Sequence, residues 1–194
     1  TQHLFAGNQK GEVIDLDIPI TVKTLVLAEG KSLMISSLTQ LMTACDDRQF
    51  AYFCHQERYE IKQFDLRKQK ISHAFKRDFE PQPYYPSEGL SELQRKLENV
   101  ANLKIFNDIY AICIMDNDLM IFTSRLDAKK GLLVDRFNNT GKWIASYWLP
   151  IPGLKHPKDL SQRILTFNNG RLWTSFTDEE DNPIVVLYQI HWPT

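Results

Sequence analysis

The run Phe50–Phe75, FAYFCHQERYEIKQFDLRKQKISHAF, decides the fold class, because it reads as three consecutive antiparallel strands. Phe50, Tyr52 and Cys54 alternate with Ala51, Phe53 and His55 in an aromatic-rich apolar run of strand length. Tyr59, Ile61 and Gln63 then alternate with Glu60, Lys62 and Phe64, the pattern of a half-exposed strand. Asp65 to Lys70 is polar enough to leave the sheet and turn, and Ile71–Phe75 opens the third strand. A helix fails here: at 3.6 residues per turn the apolar positions scatter around the cylinder, whereas at a period of two they line faces.

The same pattern recurs along the chain. Leu119–Phe122 matches Phe50–Phe53, Leu132–Phe137 matches Tyr59–Phe64, and Phe137–Lys142 stands where Phe64–Gln69 stood, with Trp143-Ile144 opening the next strand. Weaker copies flank these: His3–Ala6 followed by Glu12–Asp17, and Arg171–Thr174 followed by Ile184–Ile190. The fold class expected is therefore all-β, a single β-repeat domain over 1–194 made of antiparallel blade-like repeats. It is a β-propeller or partial propeller of about four units, since four-stranded units at periods of about 40 to 50 residues mark propellers.

Residues 77–100 interrupt the repeat. Three prolines in Glu80–Pro86 remove backbone donors and exclude a central strand. Leu93, Leu97 and Val100 fall at helical spacing behind Ser91 as N-cap, which predicts one helical insertion near residues 87–100. A long insertion of this kind is either a functional loop or a strap over the end of a sheet. Its aromatic residues interleave with cations at Tyr84, Tyr85, Arg95 and Lys96, the ligand-binding candidates of the sequence. A second such group is Trp143, Tyr147, Trp148 and Lys155. Such pairs can stack sugar rings or bases, and blade packing is the competing explanation for the tryptophans.

Composition narrows the function classes. With 194 residues, 43% hydrophobic and 24% charged, the chain has the make-up of a soluble globular domain. Its 23 basic and 24 acidic residues give a net charge of −1, so no global field draws nucleic acid, and none is expected as a partner. No apolar run reaches the ~18 residues of a membrane span, and no basic-then-apolar leader is present. The start at Thr1 instead of methionine reads as a processed or trimmed end, compatible with a removed leader.

Cys45, Cys54 and Cys113 have neither zinc spacing nor the even count of a disulfide framework. Cys45 and Cys54 either face each other across a hairpin or are two buried thiols. His3, His55, His73, His156 and His191 show no local metal spacing, and no nucleophile elbow, P-loop or dinucleotide fingerprint occurs. Neither a metal nor another cofactor is called for. Asp116-Asn117-Asp118 reads as a hairpin turn, and the acidic loop 178–182 as a solvated turn. Asn138-Asn139-Thr140 is a glycosylation sequon, meaningful for a chain secreted by a eukaryotic cell.

Glu12–Asp17 as an entry strand, Ile61–Asp65 followed by a turn and a new strand, and the terminal Asp181–Ile190 resemble the six-bladed β-propeller proteins of bacterial cell envelopes, akin to the NHL and TolB-like propellers. The glycine-rich segment that follows the Phe-Asp turn in that family is here Arg77–Tyr85, without glycine. The resemblance implies an extracytoplasmic, periplasmic or secreted, binding or scaffold role with no catalytic residues to carry over.

The function expected is a non-enzymatic binding or scaffold module that recognises a protein, peptide or glycan through its loops. The alternative is a hydrolase or lyase whose acid-base residues, from Asp116, Asp118, Asp135 and His156, gather at a propeller channel. The outer strands of such a repeat must be covered. Either the strands around Leu4–Asp17 pair with the sheet around Leu172–Ile190, or a second copy or another subunit completes the sheet.

Overall fold

A computed structural model describes residues 2–7, 13–20, 23–26, 32–35, 41–45, 49–55, 58–83, 108–151, 153–154, 159, 164–168, 171–177, 180 and 182–191. Among the described residues the regular elements are fifteen strands, all paired antiparallel. The chain divides into two compact units, Thr1–Arg77 and Asp78–Thr194. The helix expected near 87–100 lies outside the described residues.

In the first unit, β1 (Gln2–Gly7) pairs with β2 (Val13–Ile20) and β3 (Lys23–Val26) with β4 (Ser32–Ile35). A four-stranded meander follows in the order β5 (Leu41–Cys45), β6 (Phe50–His55), β7 (Glu60–Asp65), β8 (Lys70–Lys76). In the second unit, β9 (Ile109–Met115), β10 (Asp118–Asp127), β11 (Gly131–Phe137) and β12 (Trp143–Leu149) make a second meander in chain order. Among the described residues a third sheet has the order β13 (Ile164–Asn168), β14 (Arg171–Thr177), β15 (Pro183–Gln189), while β1 and β2 pair with each other.

The two meanders are built alike. Asp65 ends β7, and its Oδ1 accepts the backbone N–H groups of Arg67 and Lys68 at 2.9 and 3.0 Å. Asn138 follows β11, and its Oδ1 accepts those of Thr140 and Lys142 at 3.1 and 2.9 Å. A short side chain that mimics a backbone turn explains why Asp or Asn stands there. Each turn closes through a left-handed residue, Gln69 with φ 53 or Gly141 with φ 78. Each outer strand then carries one extra residue: Ser72 between the pairs Phe64↔Ile71 and Gln63↔His73, and Ile144 between Phe137↔Trp143 and Arg136↔Ala145. The two bulges occupy the same place, so Ile71 corresponds to Trp143 and Lys76, opposite Glu60, to Trp148, opposite Leu133.

Burial falls from the inner strands to the fourth strand of each meander. On β6, Ala51, Tyr52, Phe53 and Cys54 are all buried, and on β10 so are Leu119, Met120, Ile121, Phe122, Thr123 and Ser124. Consecutive strand residues point to opposite faces, so these strands are covered on both. That is unusual for antiparallel sheets, which commonly leave one face to water. The outer strands are different: Lys70–Ala74 of β8 and Trp143-Ile144 of β12 are exposed.

Within the second unit, one face of the meander is covered by the three-stranded sheet. Met115, Met120, Phe122, Leu132 and Val134 share a core with Leu172, and Tyr188 and Ile190 pack against it. Ile151 and Leu154 from the connection after β12 complete that core. The β9–β10 hairpin turns through Asp116 and Asn117 at φ 52 and 66, the left-handed pair of a two-residue type I′ turn. Cys45 pairs with Ala51 and Cys54 with Met42, so the ladder does not set the two thiols opposite each other.

Candidate functional site

Register puts Trp143, Ser146 and Trp148 on one face of β12, opposite Phe137, Asp135 and Leu133 of β11. The bulge at Ile144 breaks the alternation, which is what a bulge does to the strand that carries it. Two adjacent side chains therefore reach solvent together, Trp143 at 48% and Ile144 at 43% exposure. Their position is fixed by the turn before them. Besides its two backbone bonds, Asn138 Oδ1 accepts the Thr140 hydroxyl at 2.7 Å, and Asn138 N–H donates to the Lys142 carbonyl at 3.0 Å. Asn138 of the sequon is thus a turn cap, in the role that Asp65 has in the other meander.

The far end of the strand carries a cation over an aromatic ring. Lys130 Nζ lies 5.6 Å from the centroid of a Trp148 ring, within the range at which the π face attracts a cation. The turn that delivers Lys130 is another capped one: Asp127 Oδ1 accepts the backbone N–H groups of Lys129 and Lys130, both at 2.9 Å. Those bonds, the Lys130 one second, hold the Asp127 carboxyl below its ordinary pKa. The chain then enters β11 through Gly131 at φ +100.

Between the two tryptophans, Ser146 donates a hydrogen bond from its hydroxyl to Asp135 Oδ1. Asp135 is wholly buried, with Ile121 beside it in the ladder. A carboxylate is tolerated in such a place only when it is hydrogen-bonded. The other face of β12 carries Tyr147, against which Arg136 lies, and Arg136 Nε is 2.6 Å from Asp118 Oδ2. The hydrogen bond that Arg136 donates to Asp118, more than any other interaction, raises the Arg136 pKa.

Of the residues singled out in the sequence, Trp143 and Trp148 come together on one face, and Tyr147 points to the other. Lys130, which the sequence reading did not pick, is the lysine over Trp148. A lysine at the tip of a capped turn before the strand that pairs with the tryptophan is the signal that finds it. Tyr84, Tyr85, Arg95, Lys96, Lys155 and His156 lie outside the described residues. Asp116 lies in the exposed hairpin turn, Asp118 is bonded to Arg136, and Asp135 is buried under Ser146, so these three do not converge on one pocket. Among the described residues no group of three or more His, Cys, Asp or Glu is placed to hold a metal ion, and no helix is long and apolar enough to cross a membrane. No protein-family model matches the sequence, and no curated protein matches it.

Proposed function

We propose that this chain is a non-enzymatic binding or scaffold module of β-propeller type, which takes a protein, peptide or glycan on the outer strand of a blade-like sheet. The observation that carries this reading is the β12 face, where an exposed Trp143 and a lysine-capped Trp148 flank the Ser146–Asp135 pair. Two indole faces on a rigid strand offer large apolar contact at little entropic cost, and the hydroxyl–carboxylate pair between them supplies a polar anchor.

Two features support the propeller architecture. The central strands of both meanders are buried on both faces, as strands sandwiched between neighbouring sheets must be, and burial falls off toward the fourth strand, as it does toward a propeller's rim. The resemblance of Glu12–Asp17, Ile61–Asp65 and Asp181–Ile190 to bacterial envelope propellers points the same way and implies a place outside the cytoplasm. Tyr84, Tyr85, Arg95 and Lys96 are proposed as further contacts on sequence grounds.

The test is a glycan array and a peptide array probed with the protein and with Trp143→Ala and Trp148→Ala variants. Binding that both substitutions abolish, with an unchanged β-type circular dichroism spectrum, is the expected result. Turnover in a hydrolase and lyase screen that survives both substitutions would instead favour an enzyme and sink this reading.

A further inference from the structure

We propose that the β7–β8 turn, residues 66–71, docks on an anionic lipid surface. The turn belongs to the first unit and shares no residue with the β12 face. The chain as a whole is nearly neutral, at −1, but its charge is unevenly spread. From Leu66 to Arg77, the turn and the fourth strand of the first meander, five residues are Lys or Arg and none is Asp or Glu. Leu66, Arg67, Lys68, Gln69, Lys70 and Ile71 are all exposed. An aliphatic residue thus stands at each end of the turn, Leu66 at 37% and Ile71 at 41% exposure, with three cations between them.

The turn is held from its base. Asp65, itself buried, accepts the backbone N–H groups of Arg67 and Lys68, and its Oδ2 lies 3.3 Å from Lys68 Nζ. The Leu66 N–H donates to the Gln49 carbonyl at 2.9 Å. Asp65 offsets one of the three positive charges, while Arg67 and Lys70 keep theirs. The second meander shows that the backbone does not ask for this composition. Its own capped turn is made by residues 139–142, Asn-Thr-Gly-Lys, with a single cation and no aliphatic side chain of the size of leucine.

The mixture of residues decides between anionic partners. Nucleic acid would meet the same cations, but from Leu66 to Ile71 there is no aromatic side chain on which a base could stack, and the two aliphatic residues would stay in water. A bilayer surface uses both kinds. Each Lys or Arg close to an anionic leaflet strengthens binding about fivefold, and aliphatic side chains enter the boundary between headgroups and acyl chains.

The test is flotation of the whole chain with vesicles of phosphatidylcholine alone and of phosphatidylcholine with about 30% phosphatidylserine, which carry the negative surface potential of a cytoplasmic-type leaflet. Binding is expected to the second composition only, and to weaken as salt is added. The R67Q/K68Q/K70Q protein is expected to bind about a hundredfold more weakly. L66S/I71S, with about two-fifths of each side chain left to bury, is expected to lose about tenfold. Both variants alter only exposed positions, and an unchanged circular dichroism spectrum checks their folding. The lipid comparison and the salt series need no variant, so they decide the matter even where a substituted protein fails to fold. No binding to phosphatidylserine vesicles at low salt, equal binding to both compositions, or a folded variant of either kind that binds like the parent would each overturn the proposal. So would tighter binding to a DNA oligonucleotide that R67Q/K68Q/K70Q abolishes, which would make nucleic acid the partner of this turn.

Discussion

Gly131→Ala is the substitution whose cost can be worked most directly from the structure. Gly131 begins β11 at φ +100, a backbone conformation that side-chain-bearing residues rarely adopt. A Cβ built there would lie 2.1 Å from the Leu149 carbonyl oxygen, 2.6 Å from its carbon and 2.6 Å from Pro150 Cα. Bringing the oxygen out to 3.0 Å means moving the end of β12 by 0.9 Å. All three atoms are backbone, so no rotamer change relieves the clash. Leu149 is paired with Leu132 and packs against the core of the second unit, which limits that movement. Backbone strain of about 1–3 kcal/mol adds to about 1 kcal/mol for a weakened ladder hydrogen bond. The sum expected is about 2–4 kcal/mol, which with a urea m-value of about 1–3 kcal/mol/M lowers the midpoint by about 1 M or more. Urea unfolding followed by tryptophan fluorescence measures it. A loss below about 1 kcal/mol at unchanged m would refute the reasoning, because it would mean that the strand ends separate freely.

Two further outcomes are expected. Gln69 holds the left-handed position that Gly141 holds in the other meander, so Gln69→Gly should leave the urea midpoint unchanged or raise stability by up to about 1 kcal/mol; a clear loss would show that the Gln69 side chain is itself bonded. Burial pushes the Cys113 thiol up to about 12. The unfolded chain ionises this thiol near pH 8.5, so its contribution is complete below about pH 8.5 and is lost as pH rises toward the folded value. The difference in stability between the parent and Cys113→Ala should therefore shrink between neutral pH and pH 10, and a constant difference would contradict the assignment.

Much of the strand pattern was legible in the residues. Leu119–Phe122 and Leu132–Phe137 fall within β10 and β11, and Trp143-Ile144 opens β12, as alternation and turn chemistry read them, because each is bounded by a strong turn: Asp116-Asn117, Asp127–Lys130 or Asn138–Lys142. Leu33–Ala44, whose frequent apolar residues follow no period, spans part of β4 and part of β5. Two-sided burial could not be read, since alternation reports faces but not what covers them. Phe53 and Phe64 illustrate this: they meet edge to face at 6.3 Å on one side of β6–β7. On the other side Gln63 donates to the Tyr52 hydroxyl at 3.0 Å and accepts from Ser72 at 2.8 Å. The candidate face was half legible. The tryptophans stand out in the residues, whereas the lysine over Trp148 comes from the capped 127–130 turn ahead of β11 and not from downstream at Lys155.

The two meanders also answer the objection that Trp143 and Trp148 are there merely to pack a blade. They share a turn cap, a left-handed turn residue and a bulge at matching positions, so one meander shows what the other's architecture requires. At the inner positions the requirement is the same in both: Phe64 and Phe137 are each buried beside the bulge. At the outer positions it is not. Ile71 stands where Trp143 does and Lys76 where Trp148 does, and the β8 strand that carries them is ordered with no aromatic residue at either place. An exposed isoleucine and an exposed lysine therefore suffice for the fold. Replacing them with indoles puts more apolar surface into water at Trp143 and draws Lys130 over Trp148, neither of which the shared backbone demands. This pair of indoles, which the shared architecture does not need, with the hydrogen-bonded Asp135 between them, is the observation on which the proposed binding face rests.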